Sequence, residues 1–296
     1  MGKRLIIPGI TSFTGPKIYA DPILSKGSLL LWDPSHSAGG DAGGVVGGTP
    51  LANIASDISA GIIGVPVASA RPTLYSVTPA NSIPSLRQRT SVGGLYGLWS
   101  HTSGLTTTSG LGLDASFLKE YMFANSDHAF FASIWVRSLR RGLQGSINAA
   151  MPLGHLARSS SPSGSNLINL AGSGIANSLG QRQAGGTTNN VIWDTVAPRI
   201  INQGRQTWNG NNTEKPANSG LANGPLFAVG SIPGYSGSVN SPGVSGIIER
   251  VYLEDLTVSG RTYAEVDAID FAMFTAAHAE GGAWFGDTYP DPATFP

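Results

Sequence analysis

The sequence predicts an all-β sandwich with one helix near its C-terminus. Gly (40) and Pro (19) make up about a fifth of the 296 residues. Helical periodicity is nearly absent before residue 262, and short apolar runs bounded by Gly, Pro, Ser and Asn recur along the chain, as in antiparallel sandwiches and barrels. With 41% hydrophobic and 12% charged residues the chain is too apolar for a disordered polymer and rich enough in core formers to fold. Sandwiches of about 200–250 residues form single domains, so no second core is required.

Residues 1–27 read as an extended N-terminal arm. Leu5 to Ile7 suits an edge strand, and Pro8, Pro16 and Pro22 interrupt anything longer. The clearest strands are Leu29 to Trp32, Ala129 to Val136, Val191 to Trp193, Leu226 to Val229 and Ile247 to Leu253. In the second of these, Phe130, Ala132, Ile134 and Val136 share one parity and are assigned to the core, while Phe131, Ser133 and Trp135 take the other face. Arg137, Arg140 and Arg141 before Gly142 suit a hairpin end. Ser37 to Pro50 and Arg158 to Gly186 are dense in small and polar residues and read as long surface insertions, where binding sites tend to lie.

The helix begins after Thr262, where Thr262 and Glu265 have capping-box spacing. Val266, Ile269, Met273 and Ala276 form its apolar stripe, Asp267 and Asp270 lie off that stripe, and Gly281 and Gly282 end it. The remaining segment to Pro296 holds three prolines and four aromatics, so it should be extended and docked on a surface. Its aromatics Trp284, Phe285, Tyr289 and Phe295 are the candidates for docking a partner.

Charge and motifs exclude more than they assign. Lys+Arg and Asp+Glu balance at 18 each, which leaves no electrostatic footprint for nucleic acid and resists association poorly. Without cysteine there is neither a disulfide framework nor a thiolate metal site. The apolar run after Lys3 and Arg4 stops at Pro8, too short for a signal peptide, and no run approaches the ~18 residues of a membrane span. The nucleophile elbow, the His-Glu-x-x-His zinc motif, the phosphate-binding loop and the dinucleotide fingerprint are all missing. The five histidines, His36, His101, His128, His155 and His278, show no ligand spacing and read as ordinary residues. Asp33, Asp41 and Asp57 lack calcium-loop spacing, and no metal or cofactor is expected. Glu249 and Glu254 have opposite parity on one strand, which argues against an acid and nucleophile pair of the glycosidase type.

Trp208 stands in a polar context, Gln206 to Asn212, with few apolar neighbours. It could stack on a sugar ring, flanked by the amides of Asn209 and Asn211, or lie on a hairpin turned at Asn209 and Gly210 and pack on its own sheet.

Leu226 to Gly230, a polar loop, Ser245 to Leu256, and then Ser259 and a short helix resemble the closing strands of concanavalin A-like (laminin-G-like) jelly-roll domains. Phe131 to Val136 resembles an inner-sheet strand of that fold, and Gly27 to Ser35 its opening. The resemblance spans about residues 28–260, leaving residues 261–296 as helix and tail. Composition and the stretch Met1 to Gly9 are also similar to tail and other virion proteins of bacteriophages.

These resemblances imply a non-enzymatic structural or adhesive component of a phage tail, baseplate or fibre, assembled in the host cytoplasm. Its partners would be copies of itself and other virion proteins, without nucleic acid or membrane insertion. The alternatives are a head decoration protein, a lectin module contacting host-surface glycan, and a glycan-degrading enzyme.

Overall fold

In the computed structural model, two antiparallel sheets face each other across one core. The structure describes residues 21–41, 43–78, 84–100, 110–125, 127–140, 150–157, 166–173, 190–196, 199–209, 225–230 and 245–296. In chain order the strands are β1 (Ser28–Trp32), β2 (Thr73–Val77), β3 (Ser85–Arg89), β4 (Leu95–Trp99), β5 (Gly110–Asp114), β6 (Ala129–Arg140), β7 (Ala150–Ala157), β8 (Asn166–Ser173), β9 (Asn190–Val196), β10 (Arg199–Asn209), β11 (Phe227–Gly230) and β12 (Ser245–Asp255). The larger sheet runs β3-β4-β12-β6-β10-β9, with β1 also paired to β12, and the smaller runs β2-β5-β11-β7-β8. All five strands read from the sequence are present. The stretch 158–186, read as an insertion, contributes β8, and the proposed strand at Leu5 to Ile7 lies outside the described residues.

Alternation on β6 follows the parity rule. Phe130, Ala132, Ile134 and Val136 enter the main core with Leu111 and Leu113 of β5 and Phe227 of β11. Gly97 of β4 keeps that core dense: a Cβ there would lie 2.4 Å from the Trp99 ring and 3.1 Å from Val229 Cγ2. The opposite face of β6 is buried too, because Phe131, Ser133 and Trp135 lie under a second layer.

That layer is built from Ile23 and Leu24, the start of α1 (Ser56–Ile63), helix α4 (Tyr263–His278) and the C-terminal tail. The described residues also hold helices α2 (Ser116–Ala124) and α3 (Leu256–Ser259), and α1, α2 and α3 are additions to the sequence reading. The α4 cap is as expected: Thr262 Oγ1 accepts from the Glu265 N–H, and the Glu265 carboxylate accepts from the Thr262 N–H at 2.7 Å.

The buried positions of α4 are Val266, Asp270 and Phe274. Ile269 and Met273 pack at its margin, and Ala276 is exposed. The assignment of Asp270 to the solvent side is therefore corrected: its full burial reflects polar partners on the sheet below. The helix ends at His278. Gly282 then lets the chain fold back on the last turn, since a Cβ there would lie 2.3 Å from the Ala276 carbonyl oxygen.

Candidate functional site

The most densely functionalised part of the described structure is the outer face of β12. An apolar strand carrying Glu249, Arg250, Glu254 and Asp255 has all eleven residues buried. Each buried charge then needs a partner, and the partners come from the N-terminal arm and the β1 region, α2, the segment before β6, Arg261 between α3 and α4, His278 of α4, and the neighbouring strands.

A bulge organises this face. Ile248 is the register partner of Val136 and Arg250 that of Trp135, which leaves Glu249 as the extra residue. One inserted residue reverses parity, so Glu249 reaches the α4 side, where Glu254 also lies. The inference from uninterrupted alternation, that these carboxylates face opposite sides, is thereby corrected. Each is nevertheless held by cations. Glu249 pairs with Arg137 at 2.8 Å and with His278 Nε2 at 2.7 Å. Glu254 takes Arg261, the Tyr252 hydroxyl at 2.7 Å and the Ser25 hydroxyl at 2.8 Å. Burial and the neighbouring Glu254 charge push the Tyr252 phenol well above its ordinary range.

Between them Arg250 bridges two acidic groups of the arm and β1 region. Its Nη1 donates to Asp33 at 2.5 Å and its Nη2 to Asp21 at 3.1 Å. The guanidinium also lies 4.9 Å from the Trp135 ring centroid, a cation–π arrangement. Asp270 of α4 accepts from Ser133 Oγ at 2.7 Å and Trp135 Nε1 at 3.0 Å.

At the C-terminal end of β12, Asp255 Oδ2 meets the Tyr121 hydroxyl at 2.7 Å and His128 Nδ1 at 2.6 Å, while Oδ1 caps α3 at the Val258 N–H. His128 keeps 24% of its side chain exposed. The end of β10 lies beside this group: Trp208 is the register partner of Phe130 and Asn209 that of Ala129. Asn211 lies outside the described residues. Trp208 thus lies on β10, which pairs with β6 and β9, and the proposed turn at Asn209 and Gly210 reaches outside the described residues.

The four tail aromatics separate. Trp284 is buried with Trp135 and Phe274, and Tyr289 and Phe295 pack on Tyr96, Leu98 and Ile247 of the same chain. Phe285 is 56% exposed. Of the aspartates weighed as oxygen ligands, Asp33 holds Arg250, Asp41 accepts from Trp32 Nε1 and the Ala52 N–H, and Asp57 is exposed on α1. Among the described residues no cluster of three or more His, Asp or Glu could hold a metal ion, and no helix is long and apolar enough to cross a membrane.

The sequence signal for this layer was the charged pair Glu249 and Arg250 inside an apolar strand. The bulge that aims them is not marked by glycine or proline, and the partners are up to 229 residues away. No family model matches the chain, and no curated protein or solved structure matches it significantly.

Proposed function

We propose that this chain is a structural or adhesive component of a bacteriophage particle, associated with the tail, baseplate or fibre and built on a concanavalin A-like jelly roll. Support for the fold comes from the two antiparallel sheets around one core and from the closing strands β11 and β12, with helix α4 following Ser259. The observation that carries the docking role is the contrast between neighbouring tail residues. Trp284 is buried against Trp135 and Phe274, whereas Phe285 is exposed. An exposed aromatic on a well-anchored segment is a low-entropy anchor for another protein surface.

The test is the mass of the assembly in solution, together with imaging of the source particle by a label on this chain. Self-association or particle binding that Phe285→Ser weakens, with the thermal transition unchanged, supports the reading. A chain that stays monomeric at high concentration and does not bind the particle overturns it. Labelling on the capsid instead would favour the head decoration alternative.

A lectin role is the second reading, favoured by the position of Asn209 beside Ala129 at the sheet end that also carries His128 and Asp255. Glycan binding abolished by Trp208→Ala would establish it. An enzymatic reading draws less support, since Glu249 and Glu254 are each clamped by a guanidinium.

A further inference from the structure

His278 closes the last turn of α4, and its ring meets two acceptors. Nδ1 lies 2.8 Å from the Phe274 carbonyl oxygen, and Nε2 lies 2.7 Å from Glu249 Oε2. A carbonyl and a carboxylate only accept, so both bonds form together only when both ring nitrogens carry a proton. The side chain is 10% exposed, which leaves water little room to replace a lost bond. Its ring rests 4.4 Å from that of Phe274 and 6.1 Å from that of Trp135.

We propose that His278 is a proton-operated latch: protonated, it locks the last turn of α4 and the Trp284 turn onto the Glu249 bulge, and deprotonated, it releases them. The charged groups facing it are Glu249 of β12 and Arg137 of β6. From the tail, Tyr289 and Asp287 act on Arg137 in turn. On α4 itself, Asp270 is turned to Ser133 and Trp135. Burial disfavours the imidazolium, and the hydrogen bond and charge of Glu249 outweigh burial, so the folded-state pKa lies above the ordinary 6.5. The latch is fully closed below 6.5 and opens as pH rises through that elevated value.

Opening is local. The bonds at risk are Ala279 N–H to Thr275 O and Trp284 N–H to Ala277 O, which close the turn carrying Trp284 over Trp135. Beyond it the tail is pinned separately: Ser91 and Thr288 bond reciprocally, and Asp287 accepts from Ser91 and Val92. The latch therefore governs access to the Trp135, Phe274 and Trp284 cluster without freeing residues 287–290. It holds independently of any role in a particle.

The experiment is amide-exchange protection of the full chain, corrected for intrinsic rates, between about pH 6 and about pH 9. Protection at Ala279 and Trp284 should fall about tenfold or more, with Ser91 and Thr288 unchanged. His278→Gln should remove the pH dependence, and His128→Gln should retain it. Should His278→Gln fail to fold, the ring-proton titration of His278 in the unaltered chain must share its midpoint with the loss of protection. Protection that is flat with pH, falls equally at Ser91 and Thr288, or keeps its pH dependence in His278→Gln overturns the proposal, as does a mismatch of midpoints.

Discussion

The carboxylate of Asp270 accepts a hydrogen bond from the indole Nε1 of Trp135 at 3.0 Å, joining the middle of α4 to the middle of β6 across 135 residues of sequence. The same carboxylate takes the Ser133 hydroxyl and lies near the Arg250 charge. Replacing Asp270 by Ala strands two buried donors and removes an anion beside a buried guanidinium. The expected loss is about 2–5 kcal/mol, read as a shift in denaturant midpoint at constant slope. A neutral Asp270→Ala would mean that α4 is not seated on β6.

Arg250 offers a test of what a buried ion pair is worth. Arg250→Met leaves Asp21 and Asp33 buried without their cation, and should destabilise by about 3–5 kcal/mol. Adding Asp21→Asn and Asp33→Asn to the same chain removes the uncompensated charges and should recover part of that loss. A triple variant no better than Arg250→Met would show that the arm is held by packing of Ile23 and Leu24 instead.

Neighbouring tail residues should separate stability from association. Trp284→Ala opens a cavity against Trp135 and Phe274 and should cost about 3–5 kcal/mol. Phe285→Ala should stay within about 0.5 kcal/mol, as is usual for surface positions. Equal losses at both sites in thermal melts would contradict the placement of Phe285 in solvent.

Alkaline titration probes the half-buried phenols of Tyr75 and Tyr121. Burial, aided by the Asp114 charge, pushes the Tyr75 phenol up to about 12, and burial with the Asp255 bond holds Tyr121 higher still. A pKa raised in the fold favours the neutral form. The associated stability is thus complete below the unfolded value near 10 and is lost as pH rises through the folded value. Tyrosinate absorbance should develop in at least two phases, and Tyr75→Phe should remove amplitude from the later one. A single phase at the ordinary value would place both rings in water.

Gly97→Ala should cost about 1–3 kcal/mol, because the added methyl must displace the Trp99 ring inside the main core. The loss should appear in the denaturant midpoint, and an unchanged midpoint would mean that the Trp99 ring can shift at no cost.

Local rules act over a few residues, and features they govern were legible in the chain itself. Alternation on Phe130 to Val136 assigned the core face because a strand repeats every two residues, and Thr262 with Glu265 marked the helix start because a cap spans three. The docking of the tail is legible because its aromatics need cover, whereas its prolines do not hold it extended throughout: Pro292 opens a 3-10 turn to Thr294. Tertiary structure decided the rest. A bulge at Glu249 carries no sequence mark, yet it reverses parity and brings Glu249 to the α4 side with Glu254. Asp270 looked solvent-facing because an apolar stripe omits polar residues, but a helix lying on Ser133 and Trp135 buries a carboxylate that satisfies both donors. His128 and His278 show no ligand spacing because the carboxylates they meet, Asp255 and Glu249, lie 127 and 29 residues away. Which charges meet depends on how the sheets and the covering layer stack, and no window of sequence contains that distance.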